Sequence, residues 1–176
     1  MQSQTGIGTT FHIFLPASEG EISEDKPADS SEKESPVPGK GRVLVMDDEA
    51  MIRELAVQML TYLGYEVACS EDGEEAIELY KKAMDSGKCF DIVILDLTVR
   101  GGMGGKETMA KLFEIDSDVR GIVSSGYSEN LVMSDFKTFG FIDAIPKPYK
   151  LNELASILHE VITGGKDNNA TCFLQN

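Results

Sequence analysis

The sequence predicts an α/β fold: a doubly wound parallel sheet of five strands in the order 2-1-3-4-5, with five surrounding helices. The first observation is that short β-type runs alternate strictly with stretches of helical periodicity from Arg42 to Ile162. The second is that two of these runs, Val43-Leu44-Val45-Met46 and Ile92-Val93-Ile94-Leu95, close on acids, Asp47-Asp48 and Asp96. Finally, right-handed crossovers between parallel strands force helices onto both faces, and the ligand crevice of such a sheet lies at the carboxyl ends of strands 1 and 3. The acids stand at those ends.

The elements follow in order. Arg42 to Met46 is the first strand, and Ile52, Leu55, Ala56, Met59, Leu60 and Leu63 recur at helical spacing until Gly64 stops them. Tyr65 to Ala68 is a short second strand. Asp72 with Glu75 three residues on reads as a capping box for a helix that buries Ile77, Tyr80 and Met84 and ends near Gly87. Ile92 to Leu95 is the third strand. After the glycine-rich segment 101–105, expected to form a mobile rim, a helix through Met109, Leu112 and Phe113 leads to a strand at Ile122 to Ser124. A weaker helix around Leu131 to Phe139 precedes a strand at Ala144-Ile145, and a last helix carries Leu154, Ile157, Leu158, Val161 and Ile162 on one face.

The chain has 176 residues and is 41% apolar, room for one ordinary domain with additional sequence. Residues 17–40 are rich in Ser, Glu, Asp, Pro and Gly and read as an acidic flexible linker. Residues 41–164 form the domain, and 165–176 a polar tail expected to be disordered. A net charge of −14 argues against sequence-independent binding to nucleic acid or to an anionic membrane face and favours protein partners. No apolar stretch approaches the roughly 20 residues that span a bilayer, and the N-terminus lacks the pattern of a signal peptide, so the expected compartment is the cytoplasm. Cys69, Cys89 and Cys172 are odd in number and far apart, which favours reduced thiols over a disulfide framework or a zinc site.

If the runs are neighbouring strands, Asp47, Asp48, Asp96 and Lys147 meet at one end of the sheet. Carboxylates about 4 Å apart repel by roughly 4 kcal/mol per pair at an effective dielectric near 20, so such a cluster calls for a cation. Mg²⁺ answers that demand, and with the lysine it attracts a phosphoryl group.

Asp47-Asp48-Glu49 after strand 1, Asp96 after strand 3, a hydroxyl-Gly step at Ser125-Gly126 after strand 4 and Lys147-Pro148 after strand 5 together resemble the receiver domain of two-component response regulators, a flavodoxin-like fold. The resemblance implies that Asp96 is the phosphoacceptor, a carboxylate nucleophile toward phosphohistidine. It implies that Asp48, Asp96 and the backbone carbonyl of Thr98 ligate Mg²⁺, with Asp47 holding it through water. Lys147 would pair with Asp96 and then with phosphate, Ser125 rather than Ser124 would bind a phosphoryl oxygen, and the bond before Pro148 would be cis. Phosphorylation would switch the surface from helix 4 to strand 5; taking such a surface from about 1:99 to 99:1 requires roughly 5.5 kcal/mol of preferential stabilisation. Two departures stand out. Ala144 occupies the position where receivers often carry an aromatic switch residue, and Arg100 stands where proline is common. Tyr127, Phe141 and Tyr149 are read as packing aromatics.

Residues 3–16, SQTGIGTTFHIFLP, resemble the last strand of the ATP-binding domain of sensor histidine kinases, with Phe11, Ile13 and Leu15 alternating. Followed by an acidic linker and a receiver, this piece implies the C-terminal portion of a hybrid histidine kinase, in which residues 1–16 are a kinase remnant that cannot bind ATP alone. As a lone strand it would be disordered or lean on another surface. Neither His12 nor His159 has the helical acidic context of a phosphodonor, so the phosphoryl group would come from a histidine kinase or a histidine phosphotransfer domain. Homodimerisation is left open. The chain itself is expected to be a signalling phosphoacceptor rather than a turnover enzyme. A rival reading is a Mg²⁺-dependent phosphatase or phosphotransferase of the haloacid dehalogenase type, disfavoured because Thr98 stands where its second Asp would be. A flavodoxin-like FMN binder is poorer still, because the crevice is acidic where a phosphate cradle would be.

Overall fold

Both faces of the apolar runs are covered, which explains why they are continuous rather than alternating. In the computed structural model, which describes residues 2–4, 6, 8–10, 40–126 and 136–164, the strands are β1 (Arg42–Met46), β2 (Glu66–Ser70), β3 (Ile92–Asp96), β4 (Gly121–Ser125) and β5 (Asp143–Pro146). They form one parallel sheet in the order β2-β1-β3-β4-β5, the expected 2-1-3-4-5. Val43, Val45, Ile92 and Ile94 face α1 (Ala50–Tyr62) and α4 (Leu151–Gly164), meeting Leu60, Leu154 and Leu158. Leu44, Met46, Val93 and Leu95 face the other way, toward α2 (Gly73–Asp85) and α3 (Gly105–Ile115), meeting Tyr80, Met109 and Leu112. Successive side chains of a strand point to opposite faces, so each run feeds two cores. Every fully buried Leu, Ile or Val contributes about 1.5–3 kcal/mol.

Local chemistry fixes the ends of the helices. The α1 helix stops in a Schellman motif: the Gly64 amide donates to the Thr61 carbonyl and the Tyr65 amide to the Leu60 carbonyl, both at 3.0 Å, with Gly64 at φ +92°. Gly87, at φ +68°, closes α2 in the same way. At the start of α2 the Asp72 side chain accepts from the Glu75 amide at 3.0 Å, while the Glu75 carboxylate reaches back to the amide of Glu71 at 2.9 Å, one residue earlier than a capping box requires.

Three expectations need correction. Among the described residues there are four α-helices; the predicted helix around 131–139 is represented by a 3₁₀ turn, Phe136–Phe139, and residues 131–135 lie outside the described set. Cys89 is disulfide-bonded, where three widely spaced cysteines favoured reduced thiols, while Cys69 is a free thiol. The N-terminal piece is not a lone strand, because Gln2–Gln4 pairs antiparallel with Gly8–Thr10 around Gly6 at φ +81°. The alternating residues Phe11, Ile13 and Leu15, the linker up to residue 39 and the tail from 165 lie outside the described residues. The chain divides into two units, Met1–Glu34 and Ser35–Asn176.

Candidate functional site

Three of the strands deliver the site. The turn after β1 carries Asp47 and Asp48, the last residue of β3 is Asp96, and the turn after β5 carries Lys147. One oxygen from each of Asp47, Asp48 and Asp96 lies within 4.8 Å of the others, the separation expected of ligands that could share one cation. Asp47 is 0% exposed and Asp96 6%. Lys147 Nζ lies 2.6 Å from Asp47 Oδ2 and 2.9 Å from Asp96 Oδ2. Both contacts are short, so the single ammonium is shared between two of the acids. Three crowded acids against one ammonium leave an excess of negative charge that fits a divalent cation.

Burial pushes the Asp96 carboxyl above the usual aspartate range, and the nearby Asp47 charge adds to that. The hydrogen bond and charge of Lys147, with the Thr98 amide, offset it only in part. Burial works against the Lys147 ammonium, but its bonds to Asp47 and Asp96 prevail and hold its pKa above the ordinary lysine value. The peptide bond between Lys147 and Pro148 is cis, as the resemblance implied, and the Lys147 amide donates to the Ser125 carbonyl at 2.8 Å.

The remaining predicted residues are placed as follows. Ser125 is buried at the end of β4, and its hydroxyl donates to the Gly126 carbonyl at 3.2 Å. Ser124, its neighbour, shares a hydrogen bond of 2.8 Å with the Tyr149 hydroxyl. Burial pushes the Tyr149 phenol up to about 12, despite the Ser124 bond. Tyr149 is therefore a packing aromatic with a polar tether, a role that its spacing alone does not reveal. Ala144, in register with Val123, places no ring beside β4. Tyr127 lies outside the described residues. Thr98 is exposed on the loop after β3, and the Arg100 amide donates to Asp48 Oδ2 at 3.3 Å.

The glycine segment expected to form a mobile rim is open at Gly101, exposed at φ +74° with nothing close to it, and packed at its far end. A Cβ on Gly105 would stand 2.6 Å from the Asp96 carbonyl oxygen and one on Gly104 2.6 Å from that of Leu97, distances that no side chain tolerates. The Gly73 amide donates to the Met103 carbonyl at 3.0 Å, tying the start of α2 to this loop. Sequence reasoning also passed over Arg53, whose guanidinium reaches the Asp47 carbonyl and Glu71. Its position in α1 marks it only as a half-buried helix residue.

A doubly wound α/β sheet with an acid cluster and a lysine at its switch point defines a class of phosphoryl-handling proteins that use a cation and a carboxylate. Residues 43–159 match the family described as the response regulator receiver domain, and the chain belongs to that family. The sensor kinase CckA of Brucella abortus is 32% identical over 169 residues, which is 91% of this chain; the chain spans 17% of that protein's length. The chemotaxis protein CheY of Thermotoga maritima is 31% identical over 121 residues, covering 68% of this chain and 96% of its own. Among solved structures, the CheX-CheY-BeF3-Mg²⁺ complex of Borrelia burgdorferi superimposes with a TM-score of 0.62 at 27% identity, over 69% of this chain and 88% of that one. These likenesses give the rival phosphatase reading no support. Among the described residues, no helix is long and apolar enough to cross a membrane.

Proposed function

We propose that this chain is the phosphoacceptor of a two-component phosphorelay, with Asp96 taking a phosphoryl group from a phosphohistidine on a histidine kinase or histidine phosphotransfer domain. The observation that carries the reading is the buried Asp96 carboxylate, 2.9 Å from Lys147 and within ligand-sharing distance of Asp47 and Asp48. An Asp96 oxygen forms a bond to phosphorus as the donor's P–N bond breaks; the imidazole keeps the bonding pair and Asp96 becomes an acyl phosphate. Water later attacks the phosphorus, and the carboxylate leaves with the P–O bonding pair. Asp48, Asp96 and the Thr98 carbonyl would hold Mg²⁺ directly and Asp47 through water. Magnesium, when bound, would supply the positive charge that offsets the acids and the phosphoryl oxygens. Lys147, freed from its pairing with Asp96, follows the negative charge onto the phosphoryl group. Ser125 turns its hydroxyl from Gly126 toward that group, drawing the end of β4 inward, and the chain from β4 to β5 repacks.

The kinase likeness, which extends over 91% of the chain, supports a place within a longer sensor kinase; the reading extends to the C-terminal portion of a hybrid histidine kinase in the cytoplasm. The test is incubation with Mg²⁺ and acetyl phosphate, read by intact mass, with beryllofluoride in parallel, read by amide NMR. The native chain gains one phosphoryl group, its amides shift around Ser125 and Lys147, and Asp96→Asn does neither. A modified Asn variant, or a native chain that never reacts, overturns the proposal.

A further inference from the structure

We propose that Arg53 is a positioning residue for divalent-cation uptake: it grips the Asp47 carbonyl with one arm of its guanidinium, while Glu71 holds the other. Arg53 Nη1 donates to the Asp47 carbonyl oxygen at 2.6 Å, and Nη2 donates to Glu71 Oε1 at 2.6 Å. The Arg53 side chain is 15% exposed, so its bond to the Asp47 carbonyl is partly shielded from water, whereas Glu71 is 72% exposed and holds the outer arm at the surface. This rests on the reading of the acid cluster as a magnesium site.

The Asp47 carbonyl belongs to the peptide plane that also carries the Asp48 nitrogen. Because that plane is rigid, fixing its oxygen fixes the path by which the chain enters Asp48 and so the aim of the Asp48 carboxylate. Two further bonds set the same turn: the Asp47 amide donates to the Ser70 carbonyl at 3.2 Å and the Glu49 amide to Asp47 Oδ1 at 3.0 Å. Arg53 adds the remaining anchor and joins α1 to the loop between β2 and α2, where the Glu71 amide is itself held by Glu75.

A guanidinium beside a cation site has two opposed effects. Its charge repels an arriving Mg²⁺, and its geometry prepares the ligands. Here the Glu71 carboxylate compensates the charge, so the preparation prevails. A two-armed fork can bond a carbonyl and a carboxylate together, whereas a lysine ammonium has no such planar geometry.

Magnesium chloride alone, titrated by calorimetry and amide NMR into the native chain, Arg53→Lys and Arg53→Met, tests this. Both variants should bind Mg²⁺ about tenfold more weakly, the usual consequence of losing a group that orients a metal ligand, with the Asp48 amide resonance displaced even before metal is added. Unchanged affinity in Arg53→Lys, or tighter binding in Arg53→Met, would mean that only charge matters and would overturn the proposal. So would a lowered melting temperature with native affinity. If the methionine chain does not fold, the lysine variant decides alone. A native chain that takes up no Mg²⁺ overturns the magnesium reading itself, and this inference with it.

Discussion

At Asp96 the cost of burial exceeds what Lys147 returns, which leaves the carboxyl pKa raised. A folded-state pKa above the unfolded one means that the group's contribution to stability is full below the unfolded value and is lost as pH rises through the folded value. Metal-free Asp96→Asn should therefore be more stable than the native chain at about pH 7. The gap should close as pH falls toward the ordinary aspartate value of 3.8; a gap that persists there, measured by urea unfolding, contradicts the assignment. Lys147 is raised as well, so its contribution is present below the ordinary lysine value of 10.5 and disappears only above it. The four charged residues of the pocket were legible because strand ends in a parallel sheet converge. Arg53 and its acceptor Glu71 were not, because their pairing joins a helix to a loop 18 residues away through tertiary packing alone. The Ser124–Tyr149 bond was missed for the same reason: its partners lie 25 residues apart.

Among the elements, the junction of α2, α3 and the glycine segment leaves the least room. A Cβ at Gly73 would overlap Thr108 Oγ1, and it would also lie 2.9 Å from Met103 Cγ and Sδ. Gly73→Ala must part α2 from α3, and we expect a loss of about 1–3 kcal/mol in chemical denaturation, as overpacking typically costs. An unchanged midpoint would mean that the seam yields freely. The central strands were legible almost to the residue because they are buried on both faces; β1 is Arg42–Met46 as predicted. The edge strand β2 runs Glu66–Ser70 instead of Tyr65 to Ala68. Half-exposed edges carry a weaker apolar signal, and the Schellman motif claims Tyr65 for the end of α1. The close packing of Gly104 and Gly105 was not legible, because composition does not distinguish a glycine kept for freedom, such as Gly101, from one kept for close contact.

For the whole molecule, a charge of −14 makes cation binding and stability one question. Mg²⁺ at a hundredfold excess over its Kd should stabilise the native chain by about 2.7 kcal/mol through mass action. Asp48→Asn, which removes one of the three clustered acids, should lose most of that gain; an equal rise in melting temperature for both chains would show that the ion acts elsewhere. The same architecture has an experimental benefit. The sequence holds five tyrosines and no tryptophan, and one of those phenols, Tyr149, is buried and tethered to Ser124, next in sequence to the residue whose carbonyl accepts the Lys147 amide. Under the proposed switch, near-ultraviolet absorbance and circular dichroism from the buried tyrosines, Tyr149 with Tyr65 and Tyr80, would serve as an intrinsic optical gauge of phosphorylation, requiring neither dye nor engineered label.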